Sequence, residues 1–232
     1  MMIALVGLRH QLEKNPALLS MDLVSLRGQL QENPTLLSKR DDDGRSLLHY
    51  AVGSDQVEAV DLLVSLGAPL ELIDNEGNTP LIIGTMENHV EVVRRLLKHG
   101  ANTDTMFGQN DNTALSWAAY QEDHSEIVQL LINAGSSVNH QEKDGWTPLH
   151  VANNAETAQL LLDAKASLSI QDEEGNTPLH MAVLRDNSEV VMLLAPLSDL
   201  SLVGISPFLL FLQSLALATQ GNRPQRIRGA FK

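Results

Sequence analysis

No cysteine occurs among the 232 residues, which excludes a disulfide framework or a cysteine-based metal site without assigning a compartment. Catalytic signatures are missing as well. There is no Ser-His-Asp spacing, no glycine loop of the kind that cradles phosphate and no metalloprotease helix, so an enzyme is not expected, and neither a cofactor nor a metal. The apolar amino terminus, Met1 to Leu8, lacks the basic flank of a secretory signal, so secretion by that route is not expected. Basic residues are few where acidic ones are many: 16 Lys/Arg against 29 Asp/Glu give a net charge of −13. Residues 1–40 hold five basic and three acidic groups and 201–232 hold four and none, leaving 7 and 26 for 41–200, a net of −19. Such a field repels nucleic-acid phosphates and favours basic partners, more weakly as salt rises. It also serves solubility.

What the chain does contain is a recurring sentence. Asp144-Gly145-Trp146-Thr147-Pro148-Leu149-His150 returns as Glu174-Gly175-Asn176-Thr177-Pro178-Leu179-His180, with looser copies around Ser46, Thr79 and Thr113. The steps between these Ser/Thr positions are 33, 34, 34 and 30 residues. A stride of this size signals stacked supersecondary units. Gly44, Gly77, Gly145 and Gly175 follow acidic or amide residues, the composition of a tight turn with positive φ. The Thr that follows suits a helix N-cap and the Pro suits the first helical position. Apolar runs at helical spacing, such as Val57, Val60, Leu62 and Leu63, then lead to a C-cap glycine at Gly67, Gly100 or Gly135. Each unit reads as turn, helix, helix, glycine, and neither helix can bury its apolar face without a neighbour.

These motifs resemble the ankyrin-repeat family, whose signature is T-P-L-H-x-A at a period of about 33. The resemblance implies an all-α solenoid of helix-turn-helix units joined by hairpin-like turns, with about five repeats at 41–73, 74–107, 108–141, 142–171 and 172–200. It also implies that His49, His150 and His180, one motif position in three repeats, are structural hydrogen-bonding residues rather than ligands or bases. Residues 1–40 form a capping segment with its own duplication, in which Leu8 to Ser20 is echoed by Leu26 to Ser38. Each echo reads as a helix followed by another starting at Pro16 or Pro34. Residues 201–232 read as an apolar C-terminal cap helix and a basic tail.

Two repeats depart from the pattern. The third enters through Thr103 to Asn110, one residue longer than its counterparts and without the acidic-Gly pair. The fourth runs only 18 residues from Thr147 to Lys165, against 21 in each of the first two, with about three missing near Asn153, Asn154 and Ala155. Lys165 stands there in place of the C-cap glycine, which implies a different ending or a strained one.

The function expected from this resemblance is a non-enzymatic, intracellular, cytoplasmic scaffold or adaptor that grips another protein, one with a basic surface, by its concave face and hairpin tips. By position in the repeat, the partner-binding residues are Asp42, Asp43, Arg45, Asn75, Glu76, Asn78, Met86, Glu87, Gln109, Asn112, Tyr120, Gln121, Lys143, Asp144, Trp146, Glu173, Glu174, Asn176 and Arg185. Trp117, Tyr120 and Trp146 are three of the four Trp/Tyr residues, and such side chains are enriched at binding hot spots. Trp117 also fits core packing between repeats. Two alternatives stand beside this reading. The uncharged stretch Leu202 to Thr219 could tether an adaptor to a membrane, although Gly204, Ser206, Pro207, Gln213 and Ser214 interrupt it. The acidic body could instead occupy the basic surface of a nucleic-acid-binding protein; direct nucleic-acid binding is not expected. Members of this family occur in eukaryotic cells and among host-directed bacterial proteins, and the sequence leaves that choice, the partner and the oligomeric state open.

Overall fold

Residues 23–198 are described by a computed structural model of the chain. They fall into two compact units that divide between Thr105 and Met106. All regular structure among the described residues is helical apart from one isolated antiparallel bridge, Phe107 with Asn112. The first unit contains α1 (Leu23–Glu32), a 3-10 turn at Pro34–Leu37, α2 (Leu47–Gly53), α3 (Val57–Ser65), α4 (Pro80–Met86) and α5 (Val90–Lys98). The second contains α6 (Ala114–Tyr120), α7 (Ser125–Asn133), α8 (Pro148–Val151), α9 (Ala155–Asp163), α10 (Pro178–Leu184) and α11 (Ser188–Leu194). The second capping echo is thus a helix ending at Glu32 and a new turn beginning at Pro34, while the first echo and the stretch 202–219 lie outside the described residues.

Helix starts follow from the sequence as anticipated. Thr79 Oγ1 accepts the Ile82 amide at 3.4 Å and Thr113 Oγ1 the Ser116 amide at 3.2 Å, each satisfying one orphan donor of a first turn. Where His stands at the third helical position, it takes over part of that task. Nδ1 of His49, His150 and His180 accepts the amide of Ser46, Thr147 and Thr177 at 3.1, 3.1 and 3.0 Å. With Nδ1 accepting, the ring proton sits on Nε2, which donates to the carbonyl of Asn78 from His49 and of Asn176 from His150, at 3.2 and 3.1 Å. Each of these carbonyls belongs to the next repeat's turn. Burial holds both imidazoles below the ordinary value of 6.5, in keeping with neutral structural rings.

Packing within each unit has two layers. First helices stack on first helices (α2 on α4; α6 on α8 on α10) and second helices on second helices (α3 on α5; α7 on α9 on α11). The seams are aliphatic: Leu48, Val52, Val60, Leu63, Leu81, Val92, Val93 and Leu96 in the first unit, and Leu115, Ile127, Val128, Leu131, Leu149, Leu161, Leu179 and Leu194 in the second, are almost fully buried. A seam without large aromatics needs close backbone approach, and Gly84 shows it: a Cβ there would stand 3.2 Å from both Val52 Cγ1 and Val93 Cγ2. Turns stack as well. The amides of Asn75, Lys143 and Glu173 donate to the carbonyls of Asp43, Asn110 and Asp144 in the preceding turn, at 2.9, 3.0 and 3.1 Å. The shortened fourth repeat keeps this register because its loss falls at the end of the first helix. α8 has four residues where the other first helices have seven, and Lys165 adopts φ 71°, the left-handed cap that glycine supplies elsewhere.

The residue heading each turn explains a further departure. Asp41, Asp74 and Asp172 each fold a carboxylate oxygen back onto the amides two and four residues on, at 2.7 to 3.0 Å. The third turn has Phe107 there, buried and 6.0 Å from the Trp117 ring, with a bridge one residue wider. The fourth has Glu142. One methylene longer, its carboxyl is only 6% exposed and turns away from its own loop to Asn112, whose amide nitrogen, so oriented, donates to both oxygens at 3.2 and 2.8 Å, and to the Ser116 hydroxyl. Ser116 occupies the motif position of the absent histidine, too short to reach the next turn. Glu142 reaches back in its place.

Burial pushes the Glu142 carboxyl up to about 7 and Asp144 on its own turn adds to the rise, while the Ser116 hydrogen bond, Arg185 and the N–H bonds from the Asn112 amide favour the ionised form and oppose it. The unfolded chain releases this proton near 4.5, the folded chain only near 7, so ionisation between these values favours unfolding. Stability contributed by this site is therefore greatest below about pH 4.5 and declines as pH rises toward 7, by roughly 3 kcal/mol. Urea titrations of wild type and Glu142→Gln across this range should diverge accordingly, the variant gaining on the wild type as pH rises. Parallel curves would refute a buried, late-ionising carboxyl. A second pair separates backbone strain from turn stacking. Gly145 and Gly175 have φ of 80° and 83°, but only at Gly145 would a Cβ meet the next turn, 2.9 Å from Asp172 Cα and from the Glu173 nitrogen. Both alanine variants carry a left-handed penalty of about 1–2 kcal/mol, and Gly145→Ala should show the lower urea midpoint of the two.

Candidate functional site

In the second unit the turn tips and first-helix ends bring together side chains that are far apart in sequence. Tyr120 closes α6, Trp146 stands one residue before the N-cap of α8, and Arg185 is the C-cap of α10. The Arg185 guanidinium lies over both rings, 5.3 Å from the Trp146 centroid and 5.9 Å from that of Tyr120. A residue of the fifth repeat thereby touches one of the third. Between these repeats lies the short α8, which ends at Val151. Arg185 Nη1 also donates to the His150 carbonyl at 3.2 Å, one of the orphan acceptors at the end of that helix.

Second-layer contacts fix the aromatic pair. Trp146 Nε1 donates to Asp172 Oδ2 at 3.2 Å, and the Asn176 amide donates to the same oxygen at 3.1 Å. Although burial works against it, these bonds and those from the Asn176 and Glu174 backbone amides hold the Asp172 carboxyl below its usual range. On the far side Asn153 N donates to the Ala119 carbonyl at 3.0 Å, Asn154 Nδ2 to Glu122 O at 2.9 Å and Asn187 Nδ2 to Asn153 O at 2.8 Å, which ties the loop after α8 to both neighbours. Burial lowers the affinity of Arg185 for its proton, while Tyr120 and Glu142 act in the opposite sense. All three members of the cluster are half-buried, with one face toward water.

The remaining expected site residues sort by what they already do. Asn78 and Asn112 are buried, the first held by Asp74 and the second by Glu142, and Asn176 is engaged with Asp172 and Glu174. Arg45 lies 3.6 Å from the Asp74 carboxylate, and Asn75 Nδ2 bonds the Asp42 carbonyl at 2.7 Å, so both also brace their turn. Asp43, Glu76, Glu87, Gln109, Lys143, Asp144, Glu173 and Glu174 are exposed, as is Asp42, while Met86 and Gln121 are partly so. Trp117 turns to Phe107 and does not join Tyr120 and Trp146. Sequence reasoning did not single out Glu142 or Asp172. Aligning the residue that heads each turn would have exposed both, together with the missing histidine at Ser116. Among the described residues no three His, Asp or Glu groups converge as a metal site would require, and no helix is long and apolar enough to cross a membrane.

Comparison with known proteins agrees with this architecture. The family model for ankyrin repeats in three copies matches residues 22–107 and 115–203, and that for many copies matches 85–132. The chain is 38% identical over 88 residues to an ankyrin repeat protein of Fowlpox virus, FPV219, covering 38% of this chain and 20% of that protein. It is 35% identical over 112 residues to the human transient receptor potential cation channel subfamily A member 1, covering 48% and 10%. It is 34% identical over 116 residues to the chicken nuclear factor NF-kappa-B p105 subunit, covering 49% and 12%. The chain thus spans a fifth or less of the length of each of these relatives. Repeats of this kind generally serve as protein-protein interaction modules, and with the motif spacing, the paired helices and the family match in agreement, the chain belongs to the ankyrin-repeat family.

Proposed function

We propose that this chain is a non-enzymatic adaptor that binds a partner protein through the turn tips and first-helix ends of its second unit, centred on Tyr120, Trp146 and Arg185. The observation that carries this reading is the convergence of these three side chains, from three successive repeats, on one half-exposed spot. Aromatic and arginine side chains held rigidly and partly in water are the composition of interface hot spots. Around them Asp144, Glu173 and Glu174 are exposed, so the partner's rim is predominantly basic. In the first unit Asp42, Asp43, Glu76 and Glu87 form a second acidic strip with the same preference. This adaptor acts inside the cell, where a basic partner surface meets an acidic repeat face of the kind the body of this chain carries.

The test compares capture from cell extract by the intact chain with capture by a quadruple variant carrying Tyr120→Ala, Trp146→Ala, Glu173→Ala and Glu174→Ala. Partners retained by the wild type and lost by the variant, with an unchanged helical circular-dichroism spectrum, are the expected result. For a partner so identified, Trp146→Ala alone should weaken binding by about 2 kcal/mol, roughly thirtyfold, and raised salt should slow association. Identical sets of captured proteins would end the proposal.

A further inference from the structure

Arg185 is set apart from the other described cations by its place, half-buried and over two aromatic rings. Arg95 pairs with Glu91 and Asp61 at 2.7 Å each, Arg94 with Glu91 at 3.2 Å and Arg45 with Asp74 at 3.6 Å. Among the described residues no carboxylate lies within ion-pair distance of Arg185, although the chain carries a net charge of −13 and this guanidinium is half-buried. Of its five N–H donors one is spent on the His150 carbonyl. Its guanidinium carbon lies over the Trp146 and Tyr120 rings, and its N–H donors beyond the one given to His150 are the part that can meet a ligand.

The neighbouring negative group does not fill that role. Glu142 is 6% exposed and its two oxygens are engaged by the Asn112 amide and the Ser116 hydroxyl, so it faces the repeat interior. Asp172 is likewise committed, to Trp146 and Asn176. Beside the short α8 there thus stands a planar cation that lies over two rings and spends one of its five N–H donors on the chain's own carbonyl.

We propose that Arg185 is an anion receptor for the partner: the carboxylate of one Asp or Glu side chain on the bound protein meets the guanidinium at the end of α8 and pairs with it in a two-pronged hydrogen bond. Planar fork-to-fork pairing is what distinguishes guanidinium from ammonium in such a place. This inference rests on the second unit being the partner-binding surface. It refines the charge pattern of the partner to one acidic residue set within a basic rim, since the exposed Asp144, Glu173 and Glu174 of the fourth and fifth turns repel any further negative group. The fixed position of Arg185 means that little side-chain entropy remains to be lost on binding.

The experiment uses the intact chain, labelled with nitrogen-15, and small probes of defined charge. N-acetylglutamate is titrated while the Arg185 Nε–H and Trp146 Nε1–H resonances are followed, with N-acetylglutamine and sodium chloride at matched ionic strength as controls. Saturable shifts of both signals with N-acetylglutamate and not with the controls are expected. Arg185→Lys, which keeps the charge and can keep the bond to His150, should weaken the response by about tenfold, and Arg185→Gln should abolish the shift at Trp146. Equal shifts from N-acetylglutamine, an unchanged Trp146 response in Arg185→Gln, or no saturable response in the wild type would each overturn the proposal and leave Arg185 as a strut closing the end of α8. That failure is distinct from failure of the adaptor reading, which is judged by loss of captured protein in the quadruple variant.

Discussion

The hydrogen bond from a histidine Nε2 to the carbonyl of the following turn is the constraint on which this structure turns. A pair of helices seven and nine residues long has too few internal bonds to persist alone, and its apolar face is useless until a neighbour covers it. Burial supplies the driving force without fixing register, because aliphatic surfaces slide. The imidazole supplies the register: one nitrogen is tied to the N-cap of its own helix and the other to the next repeat, so His49 and His150 each measure out one repeat step. Turn-to-turn amide bonds and the glycine at the tip then follow at the same spacing.

Where Ser116 stands in place of the histidine, the chain solves the same problem from the other side. Ser116 cannot span the distance, Phe107 replaces the acidic head of its turn, and the next repeat answers with a glutamate whose longer side chain reaches back. The substitution exchanges a neutral ring for a carboxyl in a place with little water. The consequence is a group that holds its proton to near neutrality, while the aspartates heading three other turns are satisfied by amides of their own loops. One change of residue type moves a carboxylate from turn-maker to inter-repeat tie.

The fourth repeat shows how a deletion becomes a feature. Losing one turn at the end of a first helix leaves the second helix, the cap and the turn in register, so stacking continues. Arg185 stands beside the shortened helix, over Tyr120 and Trp146 and bonded to the His150 carbonyl near its end. The residues that make this site would each be ordinary in an unshortened array.

Much of the fold was legible in the chain itself. The recurring Thr-Pro-Leu-His, the glycines after acidic residues and the apolar spacing determined which residues start helices, which end them and which face inward, because these are local matters of dihedral angle, capping and periodicity. Lys165, where the sequence left open a different ending or a strained one, is of this kind: position in the repeat forces a left-handed backbone whatever side chain is present. Only tertiary structure decided the fate of side chains that share a repeat position. Asn112 and Asn78 matched the exposed turn residues by register and are buried, while Arg185, named with them as a partner-binding residue by position in the repeat, lies over two aromatic rings from the third and fourth repeats. The reason is that such outcomes depend on what the adjacent repeats place opposite, a relation between residues 26 to 65 positions apart that no local pattern encodes.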